Sequence, residues 1–87
     1  MNQMMNEFQI KINTIDNVKR LSKICEAYIE DIDISSGRYV IDAKSMLAIF
    51  SFDLTRPLTI KINSDDLEII KKFNEEMSDF KYEDWRD

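Results

Sequence analysis

Three apolar runs in this chain alternate residue by residue: Phe8, Ile10 and Ile12, then Ile32 and Ile34, then Leu58, Ile60 and Ile62. Gln9, Lys11, Asp33, Thr59 and Lys61 fill the gaps, so each run has a dry side and a wet side, as a half-buried strand does. Elsewhere the apolar spacing switches to three and four. Val18, Leu21, Ile24, Cys25 and Tyr28 share one helical face, and Leu67, Ile70, Phe73, Met77 and Phe80 share another. A chain that changes period in this way must lay helices on a sheet, because each apolar stripe needs an apolar partner.

The remaining signals order these pieces. Asn13, Thr14 and Asp16 offer helix-starting side chains before the first stripe. Ser35-Ser36-Gly37 reads as a turn, with Gly37 supplying positive φ, and Tyr39, Val40 and Ile41 as the returning strand of a hairpin. Ser45 heads a nearly all-apolar segment and predicts a short capped helix from Met46 to about Phe52. Asp65 and Glu68 fit a capping box before the last helix. The expected order is β-α-β-β-α-β-α, an α/β (α+β) fold: a four-stranded sheet with its helices on one face, an open-faced sandwich. Val18, Leu21, Ile24, Tyr28, Ile70 and Phe73 should face the sheet, and Gln9, Lys11, Asp31, Asp33 and Lys61 its polar side. The 87 residues make a single domain, 1–87. Its first five or so residues should fray, as should a tail from about 80 to 87, for which an edge contact is the alternative.

Composition narrows the function classes. A formal charge of −5 argues against nucleic acid, which is held by releasing counterions from phosphate, and against anionic lipid. No apolar stretch nears the roughly 18 residues of a membrane span, and MNQMMNEF lacks the regions of a signal peptide. With one cysteine and no internal disulfide, a bacterial-type cytoplasmic protein is expected. Histidine, the usual proton shuttle near neutral pH, is absent. A lone thiol without imidazole disfavours a transition-metal site, and a single glycine cannot build a phosphate-cradling loop. No cofactor, metal or enzymatic activity is expected; any catalysis would rest on Lys, Ser, Tyr and carboxylates.

At YVIDAKSMLAIFSFDL the sequence resembles HPr, the histidine-containing phosphocarrier of the bacterial sugar phosphotransferase system. There a strand leads into a pattern close to K-S-I-M-G-V-M-S-L; here it reads Lys44-Ser45-Met46-Leu47-Ala48-Ile49-Phe50-Ser51-Phe52. The element order agrees from about Phe8 to Met77, so the resemblance implies an HPr-like fold. The family's second hallmark, G-[IL]-H-A-R-P-A, falls on Ile15-Asp16-Asn17-Val18-Lys19-Arg20-Leu21. Asn17 stands where the phosphorylated histidine would be, and Lys19 where the arginine that cradles the phosphoryl group would be. An amide cannot carry a phosphohistidine. The resemblance therefore implies a non-catalytic interaction or regulatory module of the sugar transport system, binding a protein such as a phosphotransferase component or an HPr-binding regulator. An active phosphocarrier using Asp16 instead, and a purely structural scaffold domain, are the alternatives.

Each candidate residue has a functional and a structural reading. Ser45 matches the regulatory serine phosphorylated in Gram-positive HPr, and it is also a helix cap. Met46, Leu47 and Phe50 form either a docking patch or part of the core. Asn17, Lys19 and Arg20 complete the expected partner surface. With Lys23, the two cations Lys19 and Arg20 are either an anion-binding group or a solvated face. Asp31 and Asp33 lack the dense oxygen spacing of a calcium site. Cys25, on an apolar face with no activating neighbour in sequence, reads as a structural thiol.

Overall fold

The computed structural model describes residues 5–82. Along the chain run β1 (Glu7–Ile10), α1 (Ile15–Glu26), β2 (Ile32–Ser36), β3 (Tyr39–Asp42), α2 (Met46–Ile49), β4 (Leu58–Ile62) and α3 (Leu67–Glu76). The architecture is α+β: a four-stranded open antiparallel sheet ordered β1-β4-β2-β3, with three helices. Registry converts the alternating sequence into rows. Phe8, Ile60, Ile34 and Ile41 lie side by side across the four strands and face the core. On the other face runs Glu7, Lys61, Asp33 and Asp42.

The two long helices share the apolar face. Val18, Leu21 and Cys25 of α1 and Ile70 and Phe73 of α3 are buried, as is Tyr28, and Ile24 packs half-buried against the same cluster. Phe73 is central. Its ring lies 5.8 Å from Phe8 and meets Tyr28 edge-on at 5.6 Å, an arrangement suited to the ring quadrupoles. Gly37 has φ +60°, and no other described residue has positive φ. A positive first and negative second central residue is the primed turn that matches strand twist in a two-residue hairpin.

The start of α1 matches expectation, whereas α3 and α2 each depart from it at one end. Thr14 caps α1, accepting from the amide of Asn17 at 3.1 Å. For α3 the cap is Asp66 rather than Asp65: Ser64 Oγ accepts from the Asp66 amide at 3.1 Å, and Asp66 Oδ1 in turn accepts from Glu68 at 3.0 Å. That serine turn delays the helix by one residue. Leu67 at its first position is consequently exposed, and Ile69 beside Ile70 takes up the core contact. Short α2 stops at Ile49 instead of reaching Phe52, where Ser51 Oγ donates to the carbonyl of Ala48 at 2.6 Å. A serine hydroxyl that competes for a helix carbonyl favours termination.

For the segment from about residue 80, read as either a frayed tail or an edge contact, the described part turns back after α3, buries Phe80 and runs beside β1. Lys11 donates its amide to Phe80, Tyr82 donates to Gln9, both at 2.9 Å, and Lys81 bridges Ile10. An edge contact therefore holds through Tyr82, driven by an aromatic ring with nowhere drier to go. Residues 1–4 and 83–87 lie outside the described residues.

Candidate functional site

The expected partner surface spans the head of α1 and all of α2. Helix α1 presents Asn17, Lys19 and Arg20 on successive flanks because Val18 and Leu21 fix which side faces the sheet. Arg20 is drawn toward the chain end: one guanidinium nitrogen donates to Asn17 Oδ1 at 3.4 Å and another reaches Asp79 at 3.3 Å. The guanidinium also lies 5.0 Å from the Phe80 ring centroid, a cation–π distance. Lys19 sits on the opposite flank, where it lines a depression of about 280 Å³ with Ser22, Lys23, Glu26 and Met46. Lys19 and Met46 thus share one hollow, while Asn17 and Arg20 belong to the neighbouring ridge.

Helix α2 is fastened at its base and apolar at its tip. Ile49 is buried, and Ser22 Oγ of α1 donates to the Lys44 carbonyl at 3.3 Å. Ser45 is the cap, its hydroxyl oxygen accepting from the Ala48 amide at 3.3 Å with extended backbone, φ −102° and ψ 102°. With Ile49 turned inward, Met46, Leu47 and Phe50 are left 37%, 82% and 40% exposed. Their three- and four-residue spacings make them neighbours on one surface. A short helix with one buried anchor has no second apolar wall to cover the rest.

Sequence reasoning did not find the role of Lys44. Its ammonium donates to the Tyr28 carbonyl at 2.7 Å, and its amide donates to Asp42 Oδ1 at 2.9 Å. A cation at the carbonyl end of α1 is favoured by the helix dipole, and here it also locks the approach to Ser45. Nothing in the local pattern signals this bond, since its partner is sixteen residues away.

The nucleophile inventory is quiet. Burial pushes the Cys25 thiol up to about 12, with Lys44 only partly opposing it. Tyr28 is likewise held well above the ordinary phenol value by burial, then by its hydrogen bond to Glu76. Asp31 is exposed, and Asp33 accepts from Asn63 at 3.4 Å. Among the described residues no cluster of His, Cys, Asp or Glu stands ready to hold a metal ion. What the site offers is a surface: exposed apolar side chains beside lysines.

No protein-family model matches the chain, and neither does any curated protein. Among the described residues, no helix is long and apolar enough to cross a membrane.

Proposed function

We propose that this chain is a non-catalytic, HPr-like interaction module, cytoplasmic, that docks a protein partner of the sugar phosphotransferase system through α2 and the adjoining flank of α1. The observation that carries the reading is the exposure of Met46, Leu47 and Phe50 around the buried anchor Ile49, next to Lys19. Apolar side chains grouped on a surface mark interaction sites, and methionine adapts readily to a partner's shape. Lys19 would add attraction to an acidic partner, and Asn17 and Arg20 would form the rim. The motif resemblance around Lys44-Ser45-Met46 supports the family assignment, and so does the element order.

Chemical-shift titration with purified phosphotransferase components and HPr-binding regulators tests it directly. Binding should perturb Lys19, Met46, Leu47 and Phe50, and Leu47→Ser should weaken it about tenfold or more without changing the fold, as loss of an exposed apolar anchor does. Titrations that leave these residues unmoved would remove the proposal. The same mixtures with labelled phosphoenolpyruvate separate the alternative carrier reading. No label should reach the chain, and Asn17→His should not restore transfer, because Lys19 is a point charge in place of a forked guanidinium. Label on the unmodified chain, with Asp16 as the exposed acceptor, would establish the carrier.

A further inference from the structure

The two edges of the sheet are treated differently. Beside β1 the chain end is hydrogen-bonded, whereas β3 is paired on one side only, to β2. Ser36 and Tyr39 close the hairpin, so Tyr39 and Ile41 direct their backbone groups at β2, and Val40 directs its N–H and C=O away. Among the described residues, no backbone hydrogen bond from a turn or loop reaches Tyr39, Val40 or Ile41. Tyr39 and Val40 are 68% and 63% exposed, and neither carries the charge that ordinarily guards a free edge.

The charges flanking that edge are self-complementary. Asp42 lies directly across from Asp33 in the row Glu7, Lys61, Asp33, Asp42, and like charges in opposed positions of a sheet repel. A cation beyond Asp42 would offset that repulsion. Arg38, at the other end of the same strand, makes no ion pair among the described residues. If a second copy pairs antiparallel with a two-fold axis through Val40, its Arg38 falls opposite Asp42, its Tyr39 opposite Ile41, and Val40 opposite itself. On the helix side of the sheet, an apolar hollow of about 310 Å³ is lined by Tyr39, Val40, Ile41, Ser51 and Phe52, and in that arrangement it would take the other copy's Tyr39.

We infer that β3 is a self-recognition edge, through which two copies of this chain join in an antiparallel β3–β3 pair flanked by symmetric Arg38–Asp42 contacts. This edge adjoins the α1–α2 surface assigned to a partner through Ser51 and Phe52 but uses different residues, and it goes beyond that reading. Each ion pair occurs twice by symmetry, so a charge reversal acts twice.

Sedimentation equilibrium of the full chain over a range of concentrations tests it. Wild type should show a monomer–dimer equilibrium, with Val40 amide exchange slowing as concentration rises. Arg38→Asp, a change at an exposed turn, should weaken the dimer at least about tenfold by opposing carboxylates, and Val40→Lys should do the same on the axis. The exchange Arg38→Asp with Asp42→Arg should recover most of the affinity, with circular dichroism confirming that each variant is folded. A chain that stays monomeric up to about 1 mM would overturn the inference. So would a dimer indifferent to Arg38→Asp and Val40→Lys, or one lost through Leu47→Ser instead.

Discussion

Tyr28 donates its phenolic hydrogen to Glu76 Oε1 across 2.6 Å, joining the end of the α1 segment to the last residue of α3. Its ring stands edge-on to Phe73, and the Lys72 ammonium lies 5.2 Å from the ring centroid. The side chain is thus a pin between the helices, apolar in body and polar at its tip. Tyr28→Phe keeps the body and removes the tip. It should cost about 0.5–1.5 kcal/mol in urea unfolding, with the denaturant slope unchanged. Tyr28→Ala should cost more, about 3–5 kcal/mol, because the whole ring is lost from the core.

Alkaline pH should unfold the protein by proton release. The unfolded chain gives up the Cys25 and Tyr28 protons near their ordinary values of 9.0 and 10.0, whereas burial makes the native fold retain both, Cys25 to about 12. Below about pH 9 both states are protonated and these groups leave stability untouched. Above it the unfolded state binds fewer protons, so stability falls as pH rises. Denaturation curves taken at successive pH values should show this decline. A thiol reagent should meanwhile modify native Cys25 only at the rate at which the fold opens.

The cap at Ser45 predicts a small, graded effect. Ser45→Ala should destabilise by about 0.5–2 kcal/mol, the usual range for a lost N-cap. Ser45→Asp should retain most of the stability, since a carboxylate also caps and is favoured at a helix start. Thermal melts of the three proteins suffice to compare them, and equal losses for Ala and Asp would remove the capping account. Exposure to an HPr serine kinase then asks separately whether this hydroxyl is a regulatory acceptor, through added charge and phosphate oxygens.

Phe80→Ala should be among the costliest single changes outside the regular elements, about 3–5 kcal/mol. Phe80 is buried, its carbonyl accepts from Lys11, and its ring lies under Arg20. Urea unfolding would measure the loss. Proteolysis near the chain end should accelerate along with it.

Local chemistry made most of the architecture readable. Alternation at Phe8–Ile10 and Leu58–Ile62 placed strands whose side chains do form shared rows, and Thr14 and Ser45 cap where a short hydroxyl precedes an apolar stripe. The misreadings all involve competition between adjacent groups or contact across the chain. Asp65 and Asp66 are equivalent as letters, and Ser64 decides between them through a turn. KYEDWRD has no period to read, because the docking of Lys81 and Tyr82 depends on the amide positions of β1. Arg20 is likewise a free cation in sequence and a bridge to Asp79 in space, 59 residues away. A short, nearly all-apolar helix already argues in sequence that some of Met46, Leu47 and Phe50 stay exposed, and the burial of Ile49 fixes Leu47 as one of them.

The return of the chain end beside β1 governs how large an assembly this sheet can make. A strand pair across β3 uses the free border of both molecules at once, and the opposite borders are already filled at Gln9–Lys11 by the molecule's own tail. Growth therefore terminates at two. With that tail released, each pair would carry unfilled borders at both extremities, and the same edge-to-edge chemistry would propagate into open-ended filaments. In such a pair, the Phe80–Tyr82 segment would act as the terminator of polymerisation.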